Sequence, residues 1–440
     1  MYGIIALGLG LLCSIDGMAQ TVHQMSVEQA VEYANKNSVQ VKNALLDVKI
    51  QQQTNKEITA AAYPNLSATM SINDYLDIPT SLLPAELMGG APGTFIPVQF
   101  GTKYNATGGF DVSQLLFDGQ VFVGLQARNA SIEFANKQKE ITEETIEVNV
   151  RKIYYQLVVG RQQLSTVSAN IERFGKLLDD TKAIYENGFA EKLDVDKVNV
   201  QLSNLLTERL KLQNQLDAGN AGLKFLLNMP QKDELILTDT LTEEVLHENI
   251  LDNAYSYEDR KDFQLLTVSQ KLMKYNIKRY KLSYLPTLSL FGSYNKNAQR
   301  TEFDFFKGGD WFTTSLIGIR LNVPIFEGFA KNARVEKARL EYQKTTNQLD
   351  QLKESIDNDV AQSTIRMTNA LVTITSQKQN MQLAEEVYNT TKLKYEQGLG
   401  SNQEIYTAQT ELKVAQNNYY SALYDAIIAK IDYLKATGKL

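Results

Sequence analysis

Proline is absent from residues 98–229 and from 325–440, and this is the tightest constraint on what the chain can fold into. All eight prolines lie elsewhere, at positions 64, 79, 84, 92, 97, 230, 286 and 324. A proline inside a helix removes a backbone hydrogen bond and clashes with the turn before it, so both stretches are free to be uninterrupted helix. The apolar residues use that freedom. Ile146, Val150, Ile153, Leu157, Gly160, Leu164, Val167, Ile171, Phe174 and Leu178 follow one another in alternating steps of four and three. That is a coiled-coil seam with one small residue in it. Tyr342, Thr345, Leu349, Leu352 and Ile356 repeat the pattern less cleanly. A helix is predicted over about 122–186, roughly 100 Å long at about 1.5 Å per residue. A rod of that length must pack on other rods.

Four short segments change the period to two. Leu66, Ala68, Met70 and Ile72 alternate with polar neighbours in 65–73, and Tyr104, Ala106, Gly108, Phe110 and Val112 do so in 103–113. Leu288, Leu290, Gly292 and Tyr294 share one face of 287–294, and Ile317, Ile319, Leu321 and Val323 one face of 316–323. Each segment has an apolar face and a small or polar one, at the length of a transmembrane strand. No run of 18 apolar residues follows the N-terminal segment, so no membrane-spanning helix is expected. Four strands cannot close a barrel, and open strand edges are not tolerated in lipid. Either several chains pool their strands or the sheet is a soluble one. Between the strands, 77–99 holds four prolines and reads as a long loop, with a shorter counterpart at about 296–310.

The chain repeats itself with a period near 210 residues. Tyr63-Pro64-Asn65-Leu66-Ser67 resembles Leu285-Pro286-Thr287-Leu288-Ser289, Leu116-Phe117-Asp118-Gly119 resembles Ile325-Phe326-Glu327-Gly328, and Tyr185-Glu186-Asn187-Gly188-Phe189 resembles Tyr395-Glu396-Gln397-Gly398-Leu399. Each half reads helix, two strands, long helix, helix. The expected organisation is a signal peptide at 1–19, a first repeat at 20–227, a polar linker or equatorial segment at 228–258, and a second repeat at 259–440. In the signal peptide, Ile4–Leu12 is the apolar core and Gly17-Met18-Ala19 the cleavage motif, though no Lys or Arg precedes the core. Cys13 is the sole cysteine, and large Leu12 before it disfavours lipidation.

Little points to an enzyme. A mature chain without thiols has no disulfide, Cys nucleophile or Cys metal site. His23 and His247 are the only histidines and lie far apart. Asp357-Asn358-Asp359 sits within a heptad helix and reads as a wet face. No phosphate loop or nucleophile elbow is present, no cofactor or metal is expected, and a net charge of -6 argues against nucleic acid.

Taken in order, the doubled layout, the Tyr-Pro-x-Leu-Ser and Leu-Pro-x-Leu-Ser strand starts, the opening helix from Met25-Ser26-Val27-Glu28-Gln29-Ala30, the run Val323-Pro324-Ile325-Phe326-Glu327-Gly328 and the two Tyr-Glu-x-Gly turns resemble TolC-like outer membrane efflux proteins. The first half departs in having Leu115 where the run has its proline. The resemblance covers essentially the whole mature chain. It implies a mainly α fold with a β-barrel portion: a homotrimer with a twelve-stranded barrel in the bacterial outer membrane, four strands per chain, continuing into a long periplasmic α-helical barrel of coiled-coil helices. It implies an exit channel of a tripartite efflux or type I secretion system, partnered by a periplasmic adaptor (membrane fusion) protein and an inner-membrane RND or ABC pump. Tyr185, Gly188, Phe189, Tyr395, Gly398 and Leu399 would form the adaptor-docking tip, and Asp194, Tyr395 and Glu404 the periplasmic gate. Family gates often add an Arg and a further Asp where this chain has Gly400 and Thr407. From the residues alone, the turns also read as plain hairpins and the acids as solvated helix-start carboxylates. Ser401-x-x-Glu404 reads as a capping box, with none expected after Gly188. Aromatics near strand ends, such as Tyr75, Tyr104, Trp311 and Phe312, suit interface belts. The competing reading is an exported coiled-coil scaffold or adhesin with a soluble sheet.

Overall fold

The computed structural model describes residues 21–240 and 254–440, so the expected signal peptide, Cys13 and His247 lie outside the described residues. The first part of the chain runs β1 (Val22–Met25), α1 (Val27–Asn37), α2 (Val39–Ala60), β2 (Asn65–Asp74), β3 (Thr80–Pro84), β4 (Phe95–Gln99), β5 (Tyr104–Phe117), α3 (Gly119–Glu186), α4 (Lys192–Leu227) and β6 (Glu234–Leu237). It continues as α5 (Lys261–Leu282), β7 (Thr287–Arg300), β8 (Phe312–Asn322), α6 (Ala330–Glu396) and α7 (Asn402–Ala436). Two compact units result. One takes residues up to 45, 137–264 and 351–440; the other takes 46–136 and 265–350.

The first unit is helical. The expected rod is α3, 68 residues without a break, and α6 matches it at 67. Seam residues Ile146, Val150, Leu157, Val167, Phe174 and Leu178 are all buried. The seam serves two cores. Its first part packs with Leu216, Leu223 and Leu227 of α4 and with α1; its later part packs with Val198 and Leu205 of α4 and Ile405, Ala408 and Leu412 of α7. Burying each such side chain stabilises by about 1.5–3 kcal/mol. A second stripe of α3, with Val148 and Val159, meets Leu423, Ala426 and Ile427 of α7.

In the first unit the sequence reading missed β1 and β6, which pair in parallel from Val22↔Glu234 to Met25↔Leu237. Four residues are too few to show an alternation, and β6 lies in the segment expected to be a linker. Tyr154 pins the pair: its hydroxyl donates to the Met25 carbonyl at 2.9 Å and accepts the Asp239 N–H at 3.3 Å. Of the expected wet face at Asp357-Asn358-Asp359, Asn358 is exposed and the Asp359 side chain is 48% exposed, while Asp357 is held by partners. Tyr255 and Tyr257 donate their hydroxyls to the Asp357 carboxylate at 2.7 and 2.9 Å, and Arg260 lies 3.7 Å from Asp359. These partners come from 254–260, too far along the chain for a heptad pattern to reveal.

The second unit carries one antiparallel sheet in the order β2-β5-β7-β8. Its strands have 10, 14, 14 and 11 residues, longer than expected. β7 runs on through Lys296 and Asn297 to Arg300, where polar residues on both faces disguise a strand as a loop. The loop expected at 77–99 contains the hairpin β3–β4, paired from Thr80↔Gln99 to Pro84↔Phe95. Two strands alone leave each with a free edge, where a proline's missing N–H costs little.

Candidate functional site

Cross-strand partners lie on the same face of a sheet, so register tests the strand faces directly. Leu66 pairs with Val112, Val112 with Gly292, and Gly292 with Ile317. Ala68, Phe110 and Tyr294 form the next row, and Leu290 pairs with Ile319. The four apolar faces predicted separately are therefore one continuous face. Leu66, Met70, Phe110, Ile317, Ile319 and Leu321 on it are exposed. The opposite rows are mostly polar or small, as in Ser67–Asp111–Ser293 and Thr69–Gly109–Asn295, with Leu115, Phe291 and Leu316 as the large apolar residues among them. On that face the Phe291 ring covers Gly318: a Cβ there would lie 2.8 Å from the ring, and Arg320 sits over the same ring at 4.7 Å.

Aromatics mark both ends of the apolar face. Phe305 is buried against Ala106 and Ala298. It belongs to a chain of ring contacts linking Tyr104 to Phe303 at 5.7 Å, Phe303 to Phe305 at 5.6 Å and Phe305 to Trp311 at 6.3 Å. At the other end, where strands meet helices, Phe117 packs on Phe122 and Phe326 on Phe329. The sequence reading missed this second rim. The repeated Phe-Asp-Gly and Phe-Glu-Gly was its signal.

The two helical turns have one geometry. After α3, the Gly188 N–H bonds the Tyr185 carbonyl at 2.8 Å and the Phe189 N–H bonds that of Ile184 at 3.0 Å. After α6, Gly398 bonds Tyr395 at 3.0 Å and Leu399 bonds Lys394 at 2.9 Å. This pair of bonds is a Schellman motif, which needs a left-handed residue. Gly188 and Gly398 supply it at φ 81° and 73°. Each turn exposes one large apolar side chain, Phe189 at 85% and Leu399 at 76%.

The tyrosines of the two turns differ. Tyr185 is exposed. Tyr395 is half-buried beside α3, and its hydroxyl is enclosed next to the Thr181 side chain. Burial raises its pKa. A cavity of about 200 Å³ runs past it, lined by Arg173, Asp180, Tyr388, Lys392 and Gln409. Thr181, fully buried, continues the α3 seam three residues beyond Leu178, and its hydroxyl meets the Asn402 side chain at 3.1 Å. Lys197 reaches Gln403 at 3.4 Å. These contacts bring the two turns of one chain together. A polar residue ending an apolar seam was the available signal.

The matching acids Asp194 and Glu404 are held differently. Asp194 accepts the Glu191 N–H at 3.4 Å and lies 3.8 Å from Lys197. That is the back-reaching bond of a capping box, so the expectation of none after Gly188 is corrected; Glu191 occupies a cap position that Ser or Thr normally marks. Ser401 accepts the Glu404 N–H at 3.2 Å, leaving the Glu404 carboxylate exposed.

Comparison with known proteins completes the picture. Residues 257–439 match the family described as Outer membrane efflux protein. Outer membrane protein TolC of Vibrio cholerae is 22% identical over 76% of this chain and 76% of its own. The solved outer membrane protein VceC of Vibrio cholerae superposes with a TM-score of 0.71 at 16% identity, over 94% of this chain and 96% of its own. The Campylobacter jejuni CmeC outer membrane channel gives 0.73 at 16% identity, over 94% and 85%. The fold is that of outer membrane channels.

Proposed function

We propose that this chain is a TolC-like outer membrane efflux protein and acts as the passive outer-membrane exit channel of a tripartite efflux or type I secretion system. The observation that carries this reading is the sheet. Its apolar face is unbroken across all four strands, and both edges, β2 and β8, are open. From Leu288 to Tyr294 on β7, the apolar stretch runs about 20 Å along the strand at about 3.3 Å per residue, which at the tilt of about 35–45° usual in membrane barrels spans about 15 Å of their apolar band of about 25 Å. An exposed face of this kind needs lipid, and open edges need partners. All pairings within the sheet are antiparallel, so β8 runs opposite to β2. The β8 edge of one copy can therefore receive the β2 edge of another without reversing the alternation. Three copies make the homotrimer with twelve strands, and the helices extend it into the periplasm as an α-helical barrel.

In this reading the repeats at 20–227 and 259–440 flank the segment 228–258, and a signal peptide at 1–19 directs export. Tyr185, Gly188, Phe189, Tyr395, Gly398 and Leu399 form the tip that meets a periplasmic adaptor, which couples the channel to an inner-membrane RND or ABC pump. Two exposed apolar side chains on rigid glycine turns support that role. Asp194, Tyr395 and Glu404 line the gate; three copies of exposed Glu404 would form a ring of like charges favouring cations. No reacting group or cofactor is involved. The test is the mass of the protein extracted from outer membranes in detergent. Three chains per particle, resistant to carbonate extraction from the membrane, is the expected result; a stable inserted monomer or a carbonate-soluble chain would overturn it.

A further inference from the structure

Residues 263–301 contain no Asp or Glu, yet carry five lysines and two arginines. This stretch forms most of α5, the turn after it, and β7. Two of its cations are engaged sideways with α3: Lys271 lies 3.1 Å from Glu133, and Lys278 donates to Gln126 at 2.7 Å. Arg279 stacks over Tyr280 at 4.9 Å, and both Arg279 and Lys281 are exposed in the last turn of the helix. Across the junction, the Lys331 ammonium sits 5.7 Å from the Tyr284 ring. Lys331 and Arg334 share Glu327, at 3.1 and 3.9 Å. Glu327 is the single acid in 263–301 and 323–335 together. Lys296 and Arg300 lie toward the far end of β7, so the junction itself holds Arg279, Lys281, Lys331 and Arg334 against Glu327, and its net charge is positive.

It is also apolar in an unusual way. Gly328 and Phe329 are both left-handed, at φ 58° and 64°. A bulky residue rarely adopts that conformation, and where it persists the strain commonly serves a function. Here it sets the Phe329 ring edge-on to Phe326, 5.5 Å apart, with the two rings 76% and 72% exposed. The corresponding junction of the other strand pair has aromatics too, Phe117 and Phe122. Its arginine is spent internally: Arg128 bonds the Leu125 carbonyl and Thr59. The cationic and aromatic character coincide at one junction of the two.

We infer that the junction of α5, β7, β8 and α6 binds an anionic phospholipid, with Phe326 and Phe329 in the acyl–headgroup boundary and Arg279, Lys281 and Arg334 around the phosphodiester. Apolar rings bury in the outer acyl region, while basic side chains reach from apolar stems to the charged headgroups, which places both at that depth. The inference rests on the outer-membrane reading and adds a lipid preference to it, at one site per chain.

The experiment reconstitutes the detergent-extracted protein into nanodiscs of phosphatidylcholine with and without phosphatidylglycerol, then counts retained lipid by native mass spectrometry. Wild type should retain phosphatidylglycerol in preference to phosphatidylcholine, and added salt should weaken that preference. The variant Arg279→Gln/Lys281→Gln/Arg334→Gln should retain about tenfold less phosphatidylglycerol, since each cation near a charged lipid surface contributes measurably. The tip control Lys192→Gln/Lys392→Gln should match wild type. Should the triple variant assemble poorly, Lys281→Gln alone should still lower retention measurably. Equal retention by wild type and the junction variants overturns the inference, as does full displacement by millimolar inorganic phosphate. Failure of wild type to enter either nanodisc would instead overturn the outer-membrane reading.

Discussion

Leu157 of α3 occupies the space above Gly219 of α4: a Cβ on Gly219 would lie 2.8 Å from Leu157 Cδ2. Three residues on, the roles reverse. A Cβ on Gly160 would lie 2.9 Å from Leu216 Cδ2. The two antiparallel helices thus exchange a leucine for a glycine at adjacent levels, which brings them close and fixes their register.

Filling either notch should be costly. Gly219→Val forces Leu157 from its place, and overpacking of this kind costs typically about 1–3 kcal/mol. Thermal unfolding should show a lower Tm for Gly219→Val, and Leu157→Ala in the same chain should recover part of the loss. An additive double mutant would show that the two side chains do not compete for one space.

The tip turns respond to backbone strain alone, because a Cβ on Gly188 or Gly398 has open space around it. A β-branched residue there costs about 1–2 kcal/mol, small beside the buried seams. Gly188→Val with Gly398→Val should leave oligomer yield and membrane location near normal and abolish adaptor crosslinking. Glu404→Gln should leave adaptor binding intact and reduce cation preference in planar-bilayer conductance. Normal adaptor binding by the glycine variant would reduce the turns to plain hairpins.

The sheet faces give a paired test. Leu290→Arg or Ile319→Arg puts a charge on the apolar face, at about 2–4 kcal/mol for a site near the bilayer midplane, and insertion into outer membranes should fall sharply. Ser289→Arg, on the polar face, should insert nearly as wild type. Gly318 is different from its polar-face neighbours, because Phe291 lies where its side chain would go. Gly318→Ala should lower heat resistance of the assembled form while leaving insertion measurable.

Tyr154 sets an alkaline limit. Burial is the main cause that raises its pKa to about 12. The folded state thus keeps the phenol neutral where the unfolded chain, titrating near 10, ionises. Its contribution is complete below about pH 10 and lost as pH rises from about 10 to 12, on the order of 2 kcal/mol. Denaturant midpoints measured across that range should fall for wild type more steeply than for Tyr154→Phe. The variant should also be weaker at neutral pH, having lost the bond to the Met25 carbonyl.

Long-range periodicity made most of the architecture readable. The seam from Ile146 to Leu178 needs only 3.5-residue spacing and no partner, so α3 was visible with both its boundaries nearly right. The strand faces were visible because side chains alternate strictly; what could not be read was how far β7 continues, since Lys296 and Asn297 carry no alternation. The site was legible in its glycines and illegible in its contacts. Thr181 against Asn402, and Asp357 under two tyrosines, join residues 100 or more positions apart, a separation at which local pattern holds no information.

The two open edges of the sheet also carry a genetic consequence. If β8 of each copy must join β2 of the next, a chain with a damaged edge is not merely absent from the channel; it is incorporated by its sound edge and leaves a gap. A cell making sound and edge-damaged chains in equal amounts would then complete roughly one channel in eight, provided mixing is random in a closed ring of three. Edge defects should therefore be dominant over the wild-type allele, whereas defects that prevent the chain from folding should be recessive.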